Sequence, residues 1–179
     1  QEPKTSKSKA SKSKDHGSDN SDQEDFIEPP PPKFSIIANM EDLKRSFFSG
    51  EYTQFEELIK ANPYKFFTAN YKYASDKDDA PEYSARNLVK GFVRSFDDYR
   101  RYFMICFRCF KNPETVSTYS YPSIWIVNTN DSINSILGST AEDFDFVEVT
   151  NEQLISDLLI SIRKLNEETP SLIGEAYVH

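Results

Sequence analysis

The sequence has few of the residues on which catalytic and metal sites depend. It has 179 residues but only two histidines, His16 in a charged N-terminal region and His179 at the last position, where neither can be held in a preorganised site. Two cysteines are too few for a zinc site, and five glycines leave little for a phosphate-binding loop. We therefore expect a protein that is not an enzyme and uses no cofactor.

Long apolar runs and an excess of positive charge are also missing. No stretch approaches the about 18 consecutive apolar residues that a membrane span requires, and no secretion signal is visible. The net charge of -8 disfavours non-specific binding of nucleic acid, because phosphate affinity comes from clustered Lys and Arg. These features predict a cytoplasmic protein that makes no membrane contact.

The two cysteines, Cys106 and Cys109, form a C-x-x-C motif, which in other settings marks a redox pair or half of a zinc site. A redox pair needs its first cysteine at a helix N-terminus, where the helix dipole lowers the thiol pKa. Here the motif lies inside the apolar run FMICFRCF, which predicts a strand, and residues three apart on a strand point to opposite faces. We predict two buried core thiols.

The N-terminal region contains only two large apolar side chains and changes from lysine-rich to acidic before four prolines, Pro29–Pro32. This composition predicts a disordered linker over residues 1–33, followed by a single domain over residues 34–179. Ser21 has Glu24 three positions on, which suits phosphorylation by an acidophilic kinase, although solvated acidic tails contain such patterns by composition.

The domain shows both helical and strand periodicity. The predicted elements in chain order are a helix capped by Asn39, a helix beginning at a Thr53–Glu56 capping box, a strand over 65–73, a short helix over 82–86, a strand over 87–94, a charged helix over 95–102, strands over 104–110, 123–127 and 143–149, and a last helix capped by Thr150 or Asn151. The order predicts an α+β domain with an about five-stranded, mainly antiparallel sheet packed by helices.

The stretch over 87–94 fits two periodicities. Apolar residues recur at helical spacing, at Leu88, Phe92, Phe96 and Tyr99. We favour a strand because Gly91 stands in the middle of the stretch and β-branched residues flank it.

A small basic patch follows this stretch and is the candidate interaction site. Its members are Lys90, Arg94, Tyr99, Arg100 and Arg101. Such a patch could receive an acidic partner surface or an RNA backbone, and a solvated helix face is the alternative interpretation.

Two other hypotheses concern the sheet and the carboxylates. An unrelated α+β adaptor could bind a peptide or nucleic-acid strand across an exposed sheet face through Tyr71, Tyr73 and the basic residues. A small enzyme could use carboxylate pairs as acid and base, for which the candidates are Asp78-Asp79, Asp97-Asp98 and Asp143-Asp145. Each pair lies in a polar turn or on an alternating polar face, so we favour solvated carboxylates.

Three stretches carry a family resemblance. They are MEDLKRSFFSGEY at Met40–Tyr52, the long run Ala85–Phe110 with Gly91 and an arginine before a charged segment, and SIWIV followed by DFDFVEV. In this order they resemble the opening helix, the central strands and the two following strands of the C-terminal domain of the translation elongation factor 1 gamma subunit. The strand over 65–73 departs from the family because it lacks tryptophan, and SIWIVNTN lacks the family's Arg-Gly ending.

The resemblance implies a five-stranded antiparallel sheet with surrounding helices, no cofactor, and a non-catalytic role in the nucleotide-exchange complex of protein synthesis. It implies other elongation factor 1 subunits as partners, with the ribosome or RNA as indirect associates, and a glutathione-transferase-like domain upstream. The resemblance supplies no specific binding residue.

Overall fold

The computed structural model describes residues 33–115, 118–163 and 171–178. These residues fall within one compact unit, Pro32–His179. The predicted linker over 1–33, with its proline run and Ser21, lies outside the described residues except for Lys33. No helix in the described ranges has the length and apolar character needed to cross a membrane.

The described elements alternate between helices and strands. In chain order they are α1 Met40–Phe48, α2 Tyr52–Ala61, β1 Lys65–Tyr71, α3 Glu82–Phe96, β2 Phe103–Lys111, β3 Tyr119–Ser120, β4 Pro122–Val127, α4 Ile133–Leu137, β5 Phe144–Glu148, α5 Glu152–Arg163 and β6 Leu172–Val178. Short 3-10 turns follow β1, α3 and α4.

All strand pairs in the described sheet are antiparallel. β3 continues the line of β4, since the register that sets Phe103 opposite Val127 also sets Lys111 opposite Tyr119. The spatial order is therefore β6, β2, β4 with β3, β1 and β5, with β6 and β5 at the two edges. The predicted α+β class and the mainly antiparallel sheet are confirmed.

The sheet carries a core on each face because neighbouring residues of a strand point to opposite sides. On one face Phe103, Phe107 and Trp125 pack beneath α3 and α4. On the other face Met104 and Ile126 pack beneath α1, α2 and α5. The result is a sheet between two helical layers.

The predicted strand over 87–94 is wrong. The helix predicted over 82–86 does begin at Glu82, but it continues to Phe96 instead of ending at Arg86. One helix, α3, covers both, because its buried residues Ala85, Val89, Phe92 and Phe96 recur at helical spacing and form one stripe against the sheet. Gly91 lies within α3 and not in a strand, and a Cβ at this position would meet nothing within 4 Å. The charged helix predicted over 95–102 is the last turn of α3 and a 3-10 turn.

One further helix start and two whole elements differ from the prediction. α2 begins at Tyr52 without a side-chain cap, so the Thr53–Glu56 capping box is wrong. α4 has no counterpart among the predicted elements, and Ser132 caps it by accepting a hydrogen bond from the Ser135 N–H at 3.1 Å. The C-terminal stretch LIGEAYV was not predicted as a strand, and it forms β6 by pairing with β2.

Two predicted caps are confirmed. The Asn39 side chain accepts a hydrogen bond from the Glu41 N–H at 3.1 Å and so begins α1. At α5 the cap is Asn151, whose Oδ1 accepts from the Leu154 N–H at 3.1 Å. These side chains satisfy N–H groups that would otherwise lack partners in the first helical turn.

Candidate interaction site

The predicted basic patch divides into an exposed helix face and a half-buried turn. Lys90 and Arg94 lie one turn apart on the exposed side of α3, and Arg100 is exposed beyond it. Tyr99 is half-buried and packs beside Phe96, with 6.5 Å between the ring centroids. The exposed part of the patch is therefore formed by cations, while its aromatic member contributes to the core.

The main chain at the end of the patch is fixed from two sides. The Arg100 carbonyl accepts a hydrogen bond from the Lys44 amine, and the Arg101 carbonyl accepts one from Asn128 Nδ2 at 3.1 Å. Two exposed carboxylates, Asp97 and Asp98, lie in the same turn. The patch is therefore of mixed charge, and its role as an interaction site stays a prediction.

The sheet face proposed for strand binding is covered. Tyr71 is half-buried beneath α3, with its ring centroid 4.9 Å from that of Phe92 and 5.5 Å from that of Phe144. Tyr73 is 46% exposed but lies beyond the end of β1. The hypothesis of a ligand strand lying across Tyr71 and Tyr73 is wrong, because α3 already occupies that face.

Five of the six paired carboxylates lie on the surface, and Asp143 is half-buried. Asp78, Asp79, Asp97 and Asp98 are all exposed. Asp145 is also exposed, and its carboxylate lies 3.6 Å from the amine of Lys72. Among the described residues no group of three or more His, Cys, Asp or Glu side chains is arranged to hold a metal ion.

The two cysteines lie on opposite faces of β2, as predicted. Cys109 belongs to the core beneath α3, and Cys106 to the core beneath α1 and α5. Burial raises the pKa of the Cys106 thiol to about 12 and that of the Cys109 thiol to about 11. Both thiols are therefore protonated at neutral pH, and a protonated thiol is a poor nucleophile.

A buried amide joins the N-terminal segment to the sheet. Asn128 is 0% exposed, and its Oδ1 accepts from the Ala38 N–H at 2.9 Å, while its Nδ2 donates to the Ala38 carbonyl at 2.8 Å. With the bond to Arg101, its side chain makes three hydrogen bonds to two other backbone segments. Asn128 lies just beyond the strand predicted over 123–127, and its polar, turn-like neighbours give no signal of burial.

A buried cation lies on α1. Lys44 is 3% exposed, its amine donates to the Arg100 carbonyl, and Glu41 approaches to 4.0 Å. Burial lowers the pKa of the Lys44 amine to about 8, and the Glu41 carboxylate opposes this shift only in part. A helical projection would have flagged Lys44, because it follows Met40 by four residues on the buried side.

A second buried charge, that of Arg108, joins β2 to the edge strand β6. Arg108 of β2 lies opposite Glu175 of β6, and the Nε to Oε2 distance is 2.7 Å. Arg108 also donates to the Ser161 carbonyl at 2.6 Å, in the last turn of α5, where a cation is favourable. Glu175 is the single charged residue of β6, and Arg108 is the single charged residue within the apolar run FMICFRCF, a signal that could have paired them.

Comparison with known families gives one match. Residues 23–131 match the model of the family described as elongation factor 1 gamma, conserved domain. The matched range is more than half of the chain and includes the stretches Met40–Tyr52, Ala85–Phe110 and SIWIV. No curated protein matches the chain.

Proposed function

The chain belongs to the elongation factor 1 gamma conserved-domain family, and from this premise we propose that it is a non-catalytic interaction domain in protein synthesis. It would serve an elongation factor 1 gamma-like subunit and support the nucleotide-exchange complex. The single observation that carries the proposal is the family match over residues 23–131. That range spans α1 to β4, which supply most of both core layers.

The two buried cations support a non-catalytic role because each has a structural partner. Arg108 is engaged by Glu175 and by the end of α5, and Lys44 binds a backbone carbonyl. The thiol pKa values are raised rather than lowered, which is opposite to the activation that a catalytic cysteine needs.

We propose further that the domain occupies the C-terminal part of a longer subunit, as a divergent member of the family, and acts in the cytoplasm. Its partners would be other subunits of the elongation factor 1 complex, with the ribosome or RNA as indirect associates. The exposed cations Lys90, Arg94 and Arg100 are the part of the predicted patch that an acidic partner surface could reach.

The test is reconstitution with a preparation of the nucleotide-exchange complex from which the gamma subunit has been removed. The subunit that contains this chain should bind the complex, and the chain alone should leave the rate of nucleotide release unchanged. The subunit is compared with its Lys90→Glu, Arg94→Glu double variant, which is expected to bind more weakly. Lys60→Glu is the control, because Lys60 is an exposed cation on α2, outside the patch.

Three results count against parts of this proposal. Acceleration of nucleotide release by the chain alone would contradict the non-catalytic role. Absence of binding by the subunit would contradict membership of the complex. Equal binding by the double variant and the Lys60→Glu control would remove the patch from the interface.

A further inference from the structure

We propose that the free edge of β5, with the apolar groove beside it, binds an extended basic and apolar segment of a partner protein as an added strand. This goes beyond the proposed function, because it assigns a surface and a partner chemistry that the family match does not supply. The proposal does not depend on the elongation factor assignment, so either can fail without the other.

The register of β5 leaves part of its backbone free. In the described sheet β5 pairs with β1 alone. The Val149 N–H donates to Phe66 at 2.8 Å and the Lys72 N–H to Asp143 at 2.9 Å, so the odd-numbered residues direct their backbone groups toward β1. Phe146 and Glu148 therefore direct their N–H and C=O groups outward, away from the sheet.

An apolar groove lies beside this edge, between β5 and α5. Val147 is 61% exposed and Leu154 is 55% exposed, the two highest values for large aliphatic side chains among the described residues. Thr68, Val149 and Leu158 continue the groove. A strand added to β5 would place every second side chain on this face, against Val147 and Leu154.

The charge of the groove selects the occupant. Glu148 and Asp157 line it, and no Lys or Arg is among the lining residues. Asp145 also lies on this strand, and its carboxylate is 3.6 Å from the amine of Lys72. Lysine or arginine side chains alternating with apolar ones would therefore match both the acidic and the apolar parts of this surface.

Two other occupants fit less well. A second copy of the chain would bring its own β5, and with it Asp145 and Glu148, against the same acidic residues. The chain's own lysine-rich segment, residues 4–14, has no large apolar side chain to fill the groove. The occupant we assign is therefore a segment of another protein.

The test uses the full chain and a fluorescein-labelled nine-residue peptide that alternates lysine and valine. Fluorescence anisotropy at low salt should show saturable binding that weakens as salt is added. Backbone NMR shifts should change most at Phe146, Val147, Glu148 and Leu154. A peptide with glutamate in place of each lysine should bind at least about tenfold more weakly, because each of its charges would repel this edge.

The sharpest variant is Glu148→Pro, with Glu148→Gln as its matched control. Both remove the charge, but only proline removes the outward N–H, and proline is tolerated on the free side of an edge strand. The proline variant should bind at least about fivefold more weakly than the glutamine variant, a difference of about 1 kcal/mol. Val147→Thr should also weaken binding, whereas Tyr83→Gln, an exposed aromatic on α3, should not.

Several results would overturn the proposal. They are no saturable binding, equal binding by the proline and glutamine variants, equal binding of the glutamate peptide, or self-association of the chain through β5 in sedimentation. If Glu148→Pro does not fold by circular dichroism, N-methylation of alternate peptide residues blocks the reciprocal hydrogen bonds, which peptide N–H groups would donate to the outward carbonyls of Phe146 and Glu148. Undiminished binding by both possible methylation registers would then contradict strand addition.

Discussion

Replacement of Asn128 by alanine should destabilise the domain by about 3 kcal/mol. The side chain is 0% exposed and makes three hydrogen bonds, two to Ala38 and one to Arg101. Each net hydrogen bond contributes about 1 kcal/mol, and a buried group left without a partner costs about 1–3 kcal/mol. Because Ala38 and Arg101 are half-buried, water can hydrogen-bond to part of the backbone groups that lose their partner. The expected cost is therefore close to that of the three hydrogen bonds alone.

Asn128→Asp should cost more than Asn128→Ala, although the two side chains of Asn and Asp have nearly the same shape. The amide Nδ2 donates to two carbonyl oxygens, and a carboxylate oxygen in its place would face them without a proton. The assay is urea unfolding followed by circular dichroism, with Asn130→Ala as the control because Asn130 is exposed. That control should change the free energy of unfolding by less than about 0.5 kcal/mol.

A loss below about 1 kcal/mol for Asn128→Ala would refute the reasoning. Amide hydrogen exchange gives an independent measurement of the same bonds. The substitution Asn128→Ala should raise the exchange rate of the Ala38 amide more than the rates of the domain's other amides, because it removes the acceptor of the Ala38 N–H.

Three further predictions concern the other buried polar groups. Below about pH 8 Lys44 is protonated in both the folded and the unfolded state, whereas between about pH 8 and 10.5 only the unfolded state holds the proton. In urea unfolding the wild type should therefore gain up to about 3 kcal/mol of stability relative to Lys44→Met as the pH rises through this range. A difference that does not change with pH would contradict the lowered pKa of Lys44. Glu175→Gln should cost about 3–5 kcal/mol by leaving the Arg108 charge unpaired, and a double-mutant cycle with Arg108→Met should show strong coupling, with additivity as the contrary result. Cys106 and Cys109 should react with iodoacetamide only as fast as the domain unfolds, and rapid native-state alkylation would contradict their raised pKa values.

The sequence predicts those elements whose local pattern agrees with their packing. The run containing Cys106 and Cys109 is apolar on both sides because both faces of β2 are covered, and it becomes an interior strand. The helix after Asn39 has both a cap and an apolar face. Here local chemistry and tertiary packing specify the same structure.

α3 shows where local propensity misleads. Its residues Val89 and Val93 favour a strand by propensity, while Phe92 and Phe96 continue a helical stripe. The sheet decides between the two, because the stripe fits against the aromatic side chains of Phe107 and Trp125. That contact is made between segments distant in sequence, so a local window does not contain it.

β6 and the Asn128 site depend on similarly distant contacts. β6 pairs with β2, and Arg108 and Glu175 are 67 positions apart in the chain. Asn128 binds Ala38 across 90 positions. A buried polar residue in a turn-like stretch looks the same in sequence as a solvated one, and the free edge of β5 is defined only once the strand order is known.

The most direct test of the central claim is recovery of the partners of the subunit that contains this chain. The tagged full-length subunit is purified from cell extract and its partners are quantified by mass spectrometry, against an untagged extract. The account predicts that other elongation factor 1 subunits are recovered in near-stoichiometric amounts. Recovery of none of them above the untagged control would contradict the proposed role in the elongation factor 1 complex.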